Sequence, residues 1–367
     1  MTPLSHGRRF AVDCTIYRAG MAGMGTYVLN LCEGLSRVAR PGEVSLLVQR
    51  REAAAFAEFS PRLRIRTVPG SGVVQRLLWQ NLVFPMMSGP YDAVCFPATF
   101  RPILFPKPTV VVVHDLQYLT FPEHWTPARL AYRRMLSGLT IRHASRLIAI
   151  SPFTASEVLA HFGREARVVA NPVIVGALAD VTGQPESAGL DEPFFLVLGS
   201  LLPHKNIGAL IEALRSWPTA ETIPRFVFIG PFVPTELSAG LPEERVSFLG
   251  FVSRQVRDEL LHRCAAVVIP SVFEGFGLPY AEAILAGKPV IASDILPARD
   301  LIGDDGHYIA APYDAASIQA TLQAVVRGPL RKPSQATIDA IRDRTDPATV
   351  GRQVLETLRE AAERRAE

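Results

Sequence analysis

Cysteine is scarce. The 367 residues hold four, Cys14, Cys32, Cys95 and Cys264, and no two lie at the short spacing of metal ligands or redox pairs. That argues against a disulfide framework and a cysteine-built zinc site, and points to buried thiols in a reducing cytoplasm. Long apolar runs are also missing: none reaches the roughly 20 residues of a membrane span. The opening MTPLSHGRRFAVDC has no apolar segment of the kind a secretory leader needs. No internal repeat or low-complexity tract is found. No D-x-D lies between strands to hold a divalent ion, and Asp304-Asp305 reads as a loop pair, so no metal site and no metal requirement are expected. Nucleic acid is not among the partners expected.

What is present is a chain long enough for two cores, 48% hydrophobic. The net charge of +3 hides an imbalance: residues 1–172 carry 20 Lys+Arg against 10 Asp+Glu, and the remainder 18 against 25. A basic first half suits anionic lipid headgroups or a diphosphate-linked acceptor. Ordinary surface charge explains it equally well. Domains are expected over 1–175 and 190–345, joined by a Gly- and Pro-containing linker at 173–190, with a last charged amphipathic segment at 346–367.

The most informative stretch is 265–292, AAVVIPSVFEGFGLPYAEAILAGKPVIA. Short apolar runs at 265–269 and 289–292 read as buried parallel strands. Pro279 suits the first turn of the helix between them, and Gly287 suits its left-handed stop. The loop carries Glu274, Gly275, Phe276, Gly277 and Leu278. Two glycines let backbone approach a ligand, and the helix start favours an anion. Yet Glu274 and Glu282 flank the same place, and carboxylates accept hydrogen bonds from hydroxyls rather than tolerate phosphate. A polyol joined to a phosphate satisfies both halves, which describes a nucleotide-sugar. A helix-capping carboxylate would account for Glu282 but not for the two glycines.

The same strand, glycine loop and helix recur at 194–217, where Gly199, Ser200, His204 and Lys205 precede the helix. Lys205 reads as a diphosphate-binding charge or a solvated lysine, the two about even on residue grounds. The first strand, 9–13, leads to Gly23-Met24-Gly25 and a helix over 26–35. The wide spacing and Val28 at the third glycine position argue against a dinucleotide fingerprint. The five-residue run 109–113 is a buried strand with His114-Asp115 at its carboxyl end, where open α/β sheets bind ligands. A structural His–Asp pair is the alternative. The segment 73–87, VVQRLLWQNLVFPMM, reads as a helix with little polar face, belonging to the core or touching a membrane surface.

Glu274 and Glu282 within E-G-F-G-L-P-x-x-E-A, followed by G-K-P-V-I-A-S, resemble the signature of the family 4 retaining glycosyltransferases. H-D-L at 114–116, F-P-E-H-W at 121–125 and Asn171-Pro172 are similar to further marks of that family. The resemblance implies an α/β GT-B fold of two Rossmann-like domains with parallel sheets facing a cleft: an N-terminal acceptor domain, a C-terminal donor domain, and a final helix crossing back to the first. It implies transfer of a sugar from a nucleotide-sugar to an acceptor hydroxyl without cofactor. His114, Glu274 and Lys205 would be catalytic, and Glu282 would hold the ribose. Gly199, Ser200, His204 and 275–278 would line the donor site, with Phe248, Gly250 and Phe251 at the nucleobase. Gly23, Met24, Gly25 and Asp115 would form the acceptor-side loop.

The chain departs from the pattern at Ser200 and His204, where relatives commonly place an arginine. Among relatives it looks most like bacterial mannosyltransferases of surface-polysaccharide assembly. That implies GDP-mannose ahead of UDP-sugars, a saccharide or polyprenyl-diphosphate-linked acceptor, and a cytoplasmic protein with scope for peripheral contact at the inner membrane face. A GT-B epimerase, a non-catalytic nucleotide-sugar-binding subunit and a nicotinamide dehydrogenase are the rival readings.

Overall fold

The structure, a computed structural model, describes residues 7–21, 23–69, 72–176, 192–218, 222–230 and 234–363. Of the expected linker, 177–190 lies outside the described residues. The chain forms two compact units, one of residues 1–173 and 344–367, the other of 174–343.

Unit 1 is built on a seven-stranded, fully parallel sheet: β1 (Phe10–Asp13), β2 (Val44–Gln49), β3 (Arg64–Val68), β4 (Ala93–Phe96), β5 (Thr109–Val113), β6 (Arg146–Ala149) and β7 (Arg167–Val168). Its order is β3-β2-β1-β4-β5-β6-β7. β1, β2, β4 and β5 are buried at every position. That is why β4 and β5 read as nearly unbroken apolar runs and β1 and β2 are largely apolar: helices cover both faces of a parallel sheet. Val94, Val111 and Val113 pack with Trp79, Phe84 and Tyr118 in one core cluster.

Unit 2 carries a six-stranded parallel sheet of order β10-β9-β8-β11-β12-β13. Its strands are β8 (Phe194–Leu198), β9 (Arg225–Ile229), β10 (Val246–Phe248), β11 (Ala266–Ile269), β12 (Val290–Ser293) and β13 (His307–Ile309). Phe195, Phe226, Val268, Leu210 and Leu214 centre its core. In both sheets the order reverses beside the first strand, between β1 and β4 and between β8 and β11. Within each unit, that reversal opens a crevice at the carboxyl ends of its own strands.

Local signals account for several helices. Pro152–Phe162 starts at Ser151, whose hydroxyl accepts from the Thr154 N–H at 3.0 Å, and stops at Gly163 with φ 63°. Arg254–Arg263 starts at Ser253, which accepts from Val256 N–H at 3.2 Å. Other elements differ from expectation. Helix Gly23–Val38 begins at Gly23, so the two glycines form its first turn rather than a loop before it. The edge strand β7 has only two residues, because pairing with β6 ends at Val168. Residues Arg50–Phe59 form a 3-10 helix and Leu296–Ile302 an α-helix, neither expected from the sequence.

The last helix, Pro347–Glu363, lies in unit 1 against Gly23–Val38. The two helices cross at glycines. A Cβ on Gly34 would stand 2.0 Å from the Pro347 carbonyl oxygen, and one on Gly351 would stand 2.5 Å from the Gly34 carbonyl carbon. Backbone cannot yield as a flexible side chain can. Gly34→Ala is therefore expected to cost more than about 2 kcal/mol. A melting temperature equal to that of the unaltered protein would show that the helices do not meet there.

Candidate functional site

In unit 2, β8 and β11 are neighbours at the sheet's switch point, and the loops that follow them meet. Lys205 Nζ donates to Glu274 Oε1 at 2.7 Å, and Val272 N–H donates to the His204 carbonyl at 2.8 Å. The side chains of Lys205 and Glu274 are 21% and 9% exposed, so the pair is held in a partly desolvated place where its charges act strongly. The Lys205 loop ends at Asn206, left-handed with φ 57°, anchored by its amide donating to the Pro312 carbonyl at 2.5 Å. Helix Ile207–Arg215 starts there. The Glu274 loop ends at Gly277, φ 87°, where helix Leu278–Leu285 starts with Pro279 in its first turn. A Cβ at Gly277 would lie 2.2 Å from the Tyr280 ring, so glycine is required. One cation and two helix N-termini thus belong to the two adjoining loops. Phe276 is buried beneath the second loop.

A second pocket-forming group gathers at the ends of β8, β9 and β10. Gly199, Ser200, Ile207, Phe228, Phe248 and Gly250 line it. Gly230, φ 145°, donates its N–H to the Gly250 carbonyl at 2.9 Å and leaves no room for a side chain against Gly199. Phe251, expected at the nucleobase, instead stands 77% exposed.

Glu282 is 5% exposed and is held by an ion pair. Arg257 Nη2 stands 3.1 Å from its Oε1 and 3.3 Å from Asp258 Oδ1. Burial pushes the Glu282 carboxyl above its ordinary range, and Arg257 pulls it back. Burial works against the Arg257 charge, but Glu282 and Asp258 together outweigh it and raise its pKa. Arg257 carries no sequence signal. It lies among other charged residues on helix Arg254–Arg263, and Glu282 is on a different helix, beyond β11 and the Glu274 loop.

In unit 1, His114 follows β5. Its Nε2 is 2.9 Å from the Pro97 carbonyl, which only accepts, so Nε2 carries the hydrogen and Nδ1 is left with its lone pair. Burial lowers the imidazole pKa, so the ring is neutral at pH 7. Tyr27, on helix Gly23–Val38, meets the His114 ring edge-on with centroids 4.6 Å apart, tying that helix to β5. Gly25 is buried and Gly23 exposed. A Cβ on Gly25 would lie 3.0 Å from Met21. Asp115 accepts from Gln117 N–H at 3.2 Å and is partly exposed.

A buried carboxylate that sequence reading passed over sits at the end of β1. Asp13 accepts from Thr15 Oγ1 at 2.6 Å and Gln80 Nε2 at 2.5 Å. Burial raises its pKa against these donors. Its position at the end of the first strand was the available signal. Among the described residues, no three of His, Cys, Asp or Glu converge as a metal-ligand set.

Two family models meet this chain: "Glycosyltransferase Family 4" over residues 21–175 and "Glycosyl transferases group 1" over 182–344. Between them they take in the unit 2 sheet, the unit 1 sheet apart from β1, and the loops that carry His114, Lys205 and Glu274. The chain belongs to these glycosyltransferases. "O-antigen chain mannosyltransferase B" of Escherichia coli is 25% identical over 58% of this chain and 59% of its own length. The chain thus spans about three-fifths of that relative. "O-antigen chain mannosyltransferase RfbU" of Salmonella typhimurium is 24% identical over 68% of this chain and 69% of that protein. Among solved structures, Anabaena Alr3699/HepE in complex with UDP and glucose superposes with a TM-score of 0.71 at 20% identity, over 96% of this chain and 100% of that one. WaaG, a glycosyltransferase of lipopolysaccharide biosynthesis, superposes at 0.65 and 17% identity, over 95% and 99%. These likenesses establish the GT-B fold for this glycosyltransferase.

Proposed function

We propose that the protein is a retaining hexosyltransferase that moves mannose from GDP-mannose to a hydroxyl of a saccharide or polyprenyl-diphosphate-linked oligosaccharide at the inner face of a membrane. The observation that carries the reading is the Lys205–Glu274 pair at the switch point of unit 2, flanked by two helix starts. Lys205 and the N–H groups of those helices suit the negative charge that grows on a departing nucleoside diphosphate. Glu274 accepts from donor-sugar hydroxyls, and the free Nδ1 of His114 accepts from a sugar hydroxyl as well. The leaving phosphate takes the acceptor proton on the same face, which preserves the anomeric configuration and uses no side-chain nucleophile. Catalysis then needs no metal ion, because the lysine and the helix dipoles supply the positive charge.

The O-antigen mannosyltransferases among the relatives support mannose as the sugar. UDP bound to a structural neighbour keeps UDP-sugars second. The test is release of nucleoside diphosphate from a donor panel with a mannose-terminated acceptor, in chelator. Release from GDP-mannose that depends on acceptor is expected. Isomerisation of the donor without acceptor, or activity only after manganese is added, would refute the reading.

A further inference from the structure

One face of unit 1 is not used by the donor chemistry proposed above. Residues 73–87 form a continuous helical segment whose middle turn, Trp79–Val83, is a π-helix. The Phe84 N–H closes that wide turn on the Trp79 carbonyl, five residues back. On the core side this stacks the Trp79 ring on Phe84, centroids 5.0 Å apart and 10° between planes. On the outer side it straightens a row. A four-residue step overshoots one α turn and falls short of one π turn, so the drifts cancel along Val74, Leu78, Leu82 and Met86. These four are 70%, 54%, 62% and 86% exposed.

The loop at 101–104 borders the row: the Ile103 N–H donates to Asn81 Oδ1 at 3.4 Å, and Ile103 and Leu104 are 53% and 85% exposed. Beyond it, the first half of helix Pro127–His143 exposes Tyr132 and Met135 together with Arg129, Arg133 and Arg134.

The charge on this face has one sign. Segments 72–87, 97–108 and 127–143 hold seven Lys and Arg and no Asp or Glu. Between the 101–104 loop and helix Pro127–His143 runs a groove of about 220 Å³, walled by Leu104, Leu136 and Leu139. Arg101 lines it. That arginine is 8% exposed, its Nε has no partner, and its nearest hydrogen bond is a 3.4 Å contact to the Ile103 carbonyl. A guanidinium buried without a carboxylate is costly unless an anion joins it.

We propose that this face docks on an anionic lipid bilayer. Val74, Leu78, Leu82, Met86, Ile103 and Leu104 enter the boundary between headgroups and acyl chains, the exposed arginines lie among the headgroups, and Arg101 takes a lipid phosphate in the groove. Apolar residues ringed by arginine are the surface such a bilayer selects. A second copy of the chain is the poorer occupant, because a two-fold contact would set this basic face against itself. The inference deepens the acceptor side of the proposed function, yet its test uses neither donor nor acceptor, so the two fail separately.

The full chain is sedimented with phosphatidylcholine vesicles, with and without one-third phosphatidylglycerol. Binding to the anionic vesicles alone, weakened by salt, is expected. The pairs L82S/M86S and R129Q/R134Q should each weaken it about thirty-fold, and R101Q should weaken it more than R101K. Because the described cysteines are buried, L104C accepts a polarity-sensitive fluorophore whose emission should shift to the blue on anionic vesicles; this reads the otherwise unaltered face even if the paired variants misfold. Equal binding to both vesicle types, no binding, no blue shift, or self-association that L82S/M86S abolishes would overturn the proposal.

Discussion

Replacing Lys205 with methionine should lower kcat by about 10²–10³ and change the donor KM by less than about ten-fold. The asymmetry follows from when the charge is needed. On the proposed reading, the diphosphate in the ground state is already solvated and held by the two helix starts. In the transition state it gains negative charge as the glycosidic bond breaks, and Lys205 is the side-chain cation placed at the joined loops. Methionine keeps the length and apolar stem of the side chain, so the loop keeps its packing while the charge is lost. Arginine at this position should recover only part of the rate, because a planar fork does not reproduce a point charge beside Glu274. Steady-state kinetics with saturating acceptor decide the matter. A rise in KM with kcat unchanged would mean that Lys205 binds the donor without assisting its departure.

Arg257→Leu should destabilise unit 2 by about 3–5 kcal/mol, a fall of roughly 10 °C in melting temperature. The variant strands the buried Glu282 and leaves Asp258 with only its longer contact to Arg254, at 3.8 Å. The loss should depend on pH with a definite sign. Glu282 already has a raised pKa in the fold through burial, and removing Arg257 raises it further. Between the unfolded value and the raised folded one, the native state binds the extra proton, so stability falls as pH rises through that window. The deficit of Arg257→Leu should therefore shrink on acidification from pH 7 to 5. Adding Glu282→Gln should restore about half of the lost stability at pH 7 by removing one stranded charge. A deficit independent of pH would place the ion pair elsewhere than in the interior.

What the sequence made legible was whatever depends on local runs and on backbone chemistry. The apolar strands β1, β4, β5, β8 and β11 and the glycine-punctuated loops are written contiguously, since a strand buried on both faces has no polar alternation to disguise it. The parallel order, and with it the approach of the loops after β8 and β11, follows from the same pattern. Partnerships set by the completed fold were not legible. Arg257 sits among charged neighbours on a helix, and nothing near it in the chain names Glu282. The π turn at Trp79–Val83 replaces an ordinary helical turn without glycine or proline inside it; proline comes only at 85. The expected ribose partner Glu282 is paired with Arg257, and Phe251, expected at the nucleobase, is exposed; neither relation could be read from the chain.

The seating of helix Pro347–Glu363 in unit 1 has a consequence for how the protein is made. Unit 2 is an insertion: the chain leaves unit 1 at residue 173 and returns at 344. On the ribosome the later-synthesised unit can finish first, while the earlier one waits with the glycine groove of helix Gly23–Val38 uncovered until the final turns emerge. Nascent chains halted before residue 347 should hold a protease-resistant unit 2 beside an unfinished first unit, the reverse of the usual order of assembly.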